Sequence, residues 1–355
     1  MRIVYCGELW EGCTCRMRME ALRRLGHTVI GVDTSWQPRG LSGLLIRALR
    51  KVGYAWDAVG ANQALLRAVA EHKPDVVWID KGLTILPRTL RRIRQLAGGV
   101  RLVHYSPDDM AGKHNQSWQY LAGLPLYDLH VTTKSFNVPE LLAIGARQVL
   151  FVDNAYCPST HRPVSVSDEE RLALGGPVGF IGAFEKERAE AMLFLARNGV
   201  PVRIWGGWGK GWQAWAERHK QPNLRVEVSA LWGDDYAKAI CSFDINLCFL
   251  RKLNRDLQTT RSVEVPACGG FMLAERTDEH LKLFKEGVEA EFFGSREELL
   301  EKCRYYLAHP EERRRIAAAG RERCLRSDYS YDRQVAAVLE ALGSPVKGGS
   351  ACASA

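Results

Sequence analysis

The stretch 261–275, RSVEVPACGGFMLAE, places one carboxylate, Glu264, near the start of a short helix that stops at Gly269-Gly270. An acid there complements the helix dipole, a modest effect of about 0.3–1 kcal/mol. Arg261 in the same turn opposes that dipole and so calls for another partner. A bound diphosphate would be one, through charge-assisted hydrogen bonds. Thr259 and Thr260 precede the helix and can cap its free amides, which are themselves suited to an anion. The double glycine offers a left-handed residue that ends the helix and lets a strand, GFMLAE, begin at once.

A second acidic group stands in HYSPDDM (104–110), where Asp108 and Asp109 follow an apolar run. They read either as a base or substrate-positioning pair, or as an ordinary Pro-Asp turn. In WGGW (205–208) Gly206 permits the close approach of a ligand, while Trp205 reads as core. Asp234-Asp235 are expected only to open a helix. The ten cysteines contain no CxxC pair. Cys13-Thr14-Cys15 lacks the second half of a zinc site, so no metal is expected and reduced thiols are the simpler account.

These residues must be positioned by alternating strands and helices. In the first half the strand candidates are 2–7, 28–33, 75–80, 101–106, 129–133 and 148–153. Their continuous apolar runs, separated by helical stretches such as 15–26 and 61–72, imply parallel strands covered on both faces. The pattern restarts at PVGFIG (177–182) and runs through PVRIWGG, LRVEVSA, DINLCFL and GFMLAE into a helical region over 296–342. The polar CPSTHRPVSVSDEERLALGG (157–176) between the halves reads as a linker. The expectation is an α/β chain of two doubly wound parallel-sheet domains, 1–160 and 161–329, with ligands at a cleft between the carboxyl ends of the sheets. A return helix over about 330–343 and a disordered tail at 344–355 complete it.

The net charge of +8 lies wholly in residues 1–165, which hold 21 Lys and Arg against 13 Asp and Glu. Part of it sits in LLIRALRKVGYAW (44–56) and LPRTLRRIRQL (86–96), where basic and aliphatic residues interleave. Such stretches are solvated helix faces or a surface for an anionic partner such as lipid headgroups. Nucleic acid is not expected, because no recognisable reader motif occurs. With no apolar run long enough to span a bilayer and no apolar leader at MRIVYCG, the sequence points to a cytoplasmic protein, peripheral at the inner face of the membrane if the basic half binds there.

Three segments carry a resemblance: RSVEVPACGGFMLAE with its continuation to about 325, LYDLHVTTKSFNVPELLAIGARQVLFVDNAYCPSTHRP (126–163), and VGFIGAFEKERAEAM (178–192). Together they resemble the GT-B glycosyltransferases that use nucleotide sugars, and within them the CgeB-type group. The resemblance implies a GT-B fold, an acceptor domain followed by a donor domain, and no required cofactor beyond a UDP-, GDP- or TDP-sugar co-substrate. Retaining members carry two glutamates eight positions apart, and here Asp256 stands eight before Glu264. The resemblance makes Glu264 the ribose ligand and Asp256, one methylene short, a donor-sugar ligand. It places a phosphate-neutralising base at Arg188 or Lys186 after Gly182, and a phosphate-side loop at Gly12.

The implied activity is sugar transfer from a nucleotide diphosphate to an acceptor hydroxyl on a glycan, a lipid-linked acceptor or a small molecule. Two alternatives share the donor features: a sugar-nucleotide 2-epimerase and a non-catalytic nucleotide-sugar-binding protein.

Overall fold

A computed structural model describes residues 1–36, 40–207 and 211–343, without the side chains of 40–44 and 47. The sequence readings on Trp208 and on the tail 344–355 lie outside the described residues. The chain divides into two compact units, one of Met1–Asp153 with the chain from Asp332 onward, the other of Asn154–Tyr331.

The first unit is built on six parallel strands: β1 (Arg2–Gly7), β2 (Thr28–Asp33), β3 (Val76–Asp80), β4 (Arg101–Ser106), β5 (Leu129–Thr132) and β6 (Val149–Phe151). Their order is β2-β1-β3-β4-β5-β6, so the chain reverses direction across the sheet between β1 and β3. One face buries Val4, Cys6, Val77, Ile79 and Leu102 with Leu65, Val69, Leu90 and Ile93 from its covering helices. On the other face Tyr5, Trp78 and Tyr105 stack in a row, with centroids 6.0 and 5.9 Å apart. Both faces are apolar because the residues alternate across a sheet that has no solvent side. The helix Tyr331–Gly343 is the last element among the described residues. From it Gln334 accepts from Tyr105 Oη at 3.2 Å and donates to the Asp153 carbonyl at 2.6 Å, which ties it to this unit.

The second unit repeats the plan with β7 (Gly176–Ile181), β8 (Val202–Trp205), β9 (Leu224–Glu227), β10 (Phe243–Cys248), β11 (Met272–Glu275) and β12 (Glu291–Phe293). The order is β12-β11-β10-β7-β8-β9, with the reversal between β7 and β10. Phe180, Ile204, Leu247 and Leu273 fill one face, and Cys248, Ala274 and Phe292 the other. Within the helical region read over 296–342 the chain forms three helices, Arg296–Ala308, Pro310–Arg326 and Tyr331–Gly343.

Two sequence expectations are corrected here. The stretch read as a linker contains a helix, Asp168–Leu174, started by a reciprocal cap in which Ser167 Oγ accepts from the Glu170 amide and Glu170 accepts from the Ser167 amide. The S-x-x-E spacing was its visible signal. Strand β12 was missed, because three residues, Glu-Phe-Phe, show no period of their own.

Candidate functional site

In the second unit the chemistry gathers at the carboxyl ends of β7 and β10, where the strand order reverses and where open α/β sheets take their ligands. Arg188, on the helix Lys186–Arg197, is 5% exposed, and its guanidinium donates to the carbonyls of Ala183 at 3.3 Å and Leu250 at 3.4 Å. It therefore bridges the loops that follow both strands. Its Nε is buried without a partner. Burial and the neighbouring Arg261 guanidinium push its pKa down to about 10, which leaves it cationic at neutral pH.

Arg261 opens the helix Arg261–Ala267. Its guanidinium carbon lies 5.8 Å from the Phe180 ring centroid, against 5.5 Å for that of Arg188. Arg261 Nε is also buried without a hydrogen-bond partner. Glu185 lies 3.5 Å from Arg188 but is shared with Arg251 at 2.7 Å. Gly182 sits against the pair, since a Cβ there would stand 3.6 Å from Arg261 Nη1 and 2.8 Å from the Phe180 ring. Two guanidiniums lie against one ring, and the carboxylates that act on Arg188, Glu185 and Glu275, are each paired with a further cation, Arg251 and Lys252.

Glu264 is 5% exposed. Tyr236 Oη donates to its Oε2 at 2.7 Å, and His161 Nε2 lies 3.7 Å from its Oε1. His161 Nδ1 accepts from the Cys157 amide at 2.9 Å, so the imidazole proton sits on Nε2 and faces the carboxylate. Burial lowers the His161 pKa and keeps it neutral, while burial and Glu264 hold the Tyr236 phenol well above its usual range. Neither residue stood out in the sequence. His161 fell in a polar stretch, and Tyr236 in an amphipathic helix beside two more conspicuous acids.

The remaining donor-side candidates divide. Thr259 and Thr260 do not cap the helix. Thr260 already has helical backbone angles with no side-chain capping bond, and Thr259 donates its amide to Ser262 Oγ at 3.0 Å. Ser262 in turn lies 2.7 Å from His280 Nε2, so its hydroxyl is occupied in holding this turn. Asp256 Oδ1 accepts from Asn254 Nδ2 at 2.8 Å and Oδ2 from the Arg251 amide at 3.3 Å, which shapes the loop after β10. Gly206 is a packing residue, because a Cβ there would come within 2.1 Å of Trp212. Trp212 donates its indole N–H to the Gly182 carbonyl at 2.9 Å, and Trp205 is core, 9% exposed.

In the first unit a cavity of about 410 Å³ opens between the loops after β1 and β3, again at the reversal of strand order. Its lining includes Glu8, Trp36, Trp56, Lys81 and Asp108, with Arg18 and Asp80 also contributing. Arg18 and Asp80 form an ion pair at 3.0 Å with both side chains 1% exposed, and Arg18 also lies 4.2 Å over the Tyr105 ring. Desolvating both charges is costly, and this pair adds hydrogen bonds from Tyr5 Oη and from Arg18 Nε.

The two acids after β4 part company. Asp108 reaches Lys81 Nζ at 2.5 Å on the cavity wall. Asp109 is 1% exposed and accepts from the Gly112 amide at 3.0 Å and Asn137 Nδ2 at 2.8 Å. It organises the turn, and the reading of Asp109 as a base is corrected on that ground. Gly12 has φ +85° in the turn before the helix Thr14–Arg24, a conformation that accounts for the glycine. Among the described residues no group of three or more His, Cys, Asp or Glu is placed to hold a metal ion.

Two doubly wound six-stranded sheet units define the GT-B fold. Solved structures share it over nearly the whole chain. Anabaena HepE in complex with UDP-glucose matches with TM-score 0.64 and 13% identity, covering 96% of this chain and 100% of that one. Sucrose-phosphate synthase from Thermosynechococcus elongatus matches with TM-score 0.66 and 14% identity over 96% and 99%. A glycosyltransferase from Rickettsia africae matches with TM-score 0.63 and 12% identity over 96% and 98%. Residues 188–340 match the family model described as glycosyl transferase-like. No curated protein sequence matches the chain.

Proposed function

We propose that this chain is a glycosyltransferase that moves a sugar from a nucleotide diphosphate to an acceptor hydroxyl. The observation that carries this is the Arg188–Arg261 pair around Phe180 at the β7/β10 reversal. Two cations brought together in a partly dry site repel one another, and a diphosphate placed between them converts that repulsion into attraction. Negative charge grows on the diphosphate as the glycosidic bond breaks, so fixed donors aimed at it favour the transition state more than the ground state. Glu264, oriented by Tyr236 and His161, would accept the ribose hydroxyls with the acceptor capacity its oxygens retain. Asp108 is the candidate base for the acceptor hydroxyl.

The CgeB-type assignment is supported by the segments 126–163, 178–192 and 261–325 taken in order. Contact with an anionic membrane is supported by exposed Leu45, Val52 and Trp118 beside exposed Arg50 and Lys51, an amphipathic composition suited to a lipid surface. Arg91 and Arg92 are exposed as well, whereas Arg94 is taken up by Asp128 at 3.0 Å and the Leu126 carbonyl at 2.9 Å. No helix among the described residues is long and apolar enough to cross a membrane.

The test is incubation with UDP-, GDP- and TDP-sugars, with and without glycan or lipid extracts, followed by mass spectrometry. Acceptor-dependent release of nucleoside diphosphate with a glycosylated product supports transfer. Conversion of the donor to its 2-epimer without acceptor would support the isomerase instead, and binding without turnover a non-catalytic role.

A further inference from the structure

We infer that the cavity of the first unit is a carbohydrate site, and that the acceptor is therefore a glycoside rather than a lipid alcohol. The inference rests on the transferase reading for its role, but its evidence lies in other residues. Trp36 and Trp56 line the cavity while remaining 40% and 43% exposed. An indole left half open at a cavity wall presents a flat apolar surface with a polar edge. That surface suits the C–H faces of a pyranose ring.

Charged groups stand on the same walls. Lys81 and Asp108 meet at 2.5 Å, and Glu8, Arg18 and Asp80 also contribute to the lining. Lys81 is set there by a backbone that costs energy: it is not glycine, yet φ is +59°, and Gly82 follows at +47°. Non-glycine residues in this region are uncommon, and such strain gathers at functional sites. It turns the chain at the carboxyl end of β3 and sets the lysine against the acid that follows β4. A ligand with hydroxyls directed around its rim and apolar faces between them satisfies both kinds of wall. Arg18 and Asp80 are already buried against each other, but an acyl chain would desolvate Glu8, Lys81 and Asp108 without giving them new partners. The volume, about 410 Å³, falls in the range of small-ligand pockets, and the location is the strand-order reversal where such folds bind ligands.

The test is saturation-transfer NMR on the full chain with three probes: methyl β-D-glucopyranoside, methyl β-D-galactopyranoside and methyl α-D-mannopyranoside. At least one should receive saturation, concentrated on ring C–H protons. Trp36→Ala and Trp56→Ala should each weaken it about tenfold, as loss of an aromatic anchor does. UDP affinity should hold in both variants, and circular dichroism should report an unchanged fold. Absence of saturation in all three probes, glycoside binding indifferent to both substitutions, or displacement of a bound glycoside by monooctanoylglycerol would overturn the inference. The two readings fail separately: glycoside binding without UDP binding would remove the donor site alone, and UDP binding without glycoside binding would remove this site alone.

Discussion

Tyr236 Oη donates to Glu264 Oε2 at 2.7 Å, from a helix that precedes Glu264 by 28 positions. Because Glu264 is almost fully buried, this bond supplies a donor to a carboxylate with little access to water, while His161 Nε2 faces it from 3.7 Å. Tyr236→Phe should lower stability by about 1–3 kcal/mol, since a buried charged acceptor loses a donor. Chemical denaturation checks this, and an unchanged midpoint would mean that Glu264 finds water in its place. Glu264→Gln should weaken nucleotide-sugar binding by about 1–3 kcal/mol in calorimetry. Affinity equal to the parent's in a folded variant would remove Glu264 from the ribose role.

Gly206 makes a contrasting case, in which the prediction concerns packing. With a methyl group 2.1 Å from Trp212, Gly206→Ala must displace the indole or bend the strand end. Overpacking of this kind costs about 1–3 kcal/mol, readable as a lower denaturation midpoint. Donor affinity of the surviving folded fraction should match the parent's. A variant as stable as the parent but deficient in donor binding would restore Gly206 as a ligand-side residue.

Two buried histidines predict the pH response of the first unit. His104 and His130 lie with ring centroids 4.8 Å apart, and neither ring nitrogen of His130 has a hydrogen-bond partner. Burial pushes His104 down to about 4 and His130 well below its usual range. Folded pKa values below the unfolded value mean that, as pH falls from about 6.5 toward 4, the unfolded chain binds protons that the native unit does not. Stability should therefore be full above pH 6.5 and fall by up to about 1.4 kcal/mol per pH unit for each histidine below it. Thermal unfolding across pH 4–7 measures this. His130→Phe should flatten the slope, and an identical slope in that variant would assign the effect to other groups.

Much of this architecture was legible in the sequence because fully buried parallel strands are nearly uninterrupted apolar runs. RIVYCG and TVIGVD coincide with β1 and β2 residue for residue. The site was less legible for a physical reason. Glu264 and Arg261 could be singled out because the acid complements and the cation opposes the dipole of the helix they share, a property local in sequence. Tyr236, His161 and Lys81 matter through partners 28, 103 and 27 positions away, and no local pattern encodes such contacts. Asp109 misled for the converse reason. Its neighbour Asp108 has the same chemistry, and only burial and Asn137 tell them apart.

The basic surface of the first unit can be tested with the residues that remain available. Arg91→Ala with Arg92→Ala should reduce sedimentation with anionic vesicles, each residue contributing roughly 1 kcal/mol at low salt. Physiological salt, with a Debye length of about 8 Å, should weaken the parent's binding too. Arg94→Ala should instead lower stability, since it breaks the ion pair with Asp128. Equal sedimentation of the double variant and parent would leave Arg91 and Arg92 as solvated surface.

The pairing of Arg188 with Arg261 is the centre of this account, and calorimetric titration of UDP, GDP and TDP into parent and Arg261→Ala protein tests it most directly. At least one nucleoside diphosphate should bind the parent, and the variant should lose about 10- to 100-fold in affinity, or about 1.4–2.8 kcal/mol. The variant should be at least as stable as the parent, because its removal relieves repulsion on Arg188. Diphosphate affinity unchanged by the substitution, or no binding of any of the three by the parent, would contradict it.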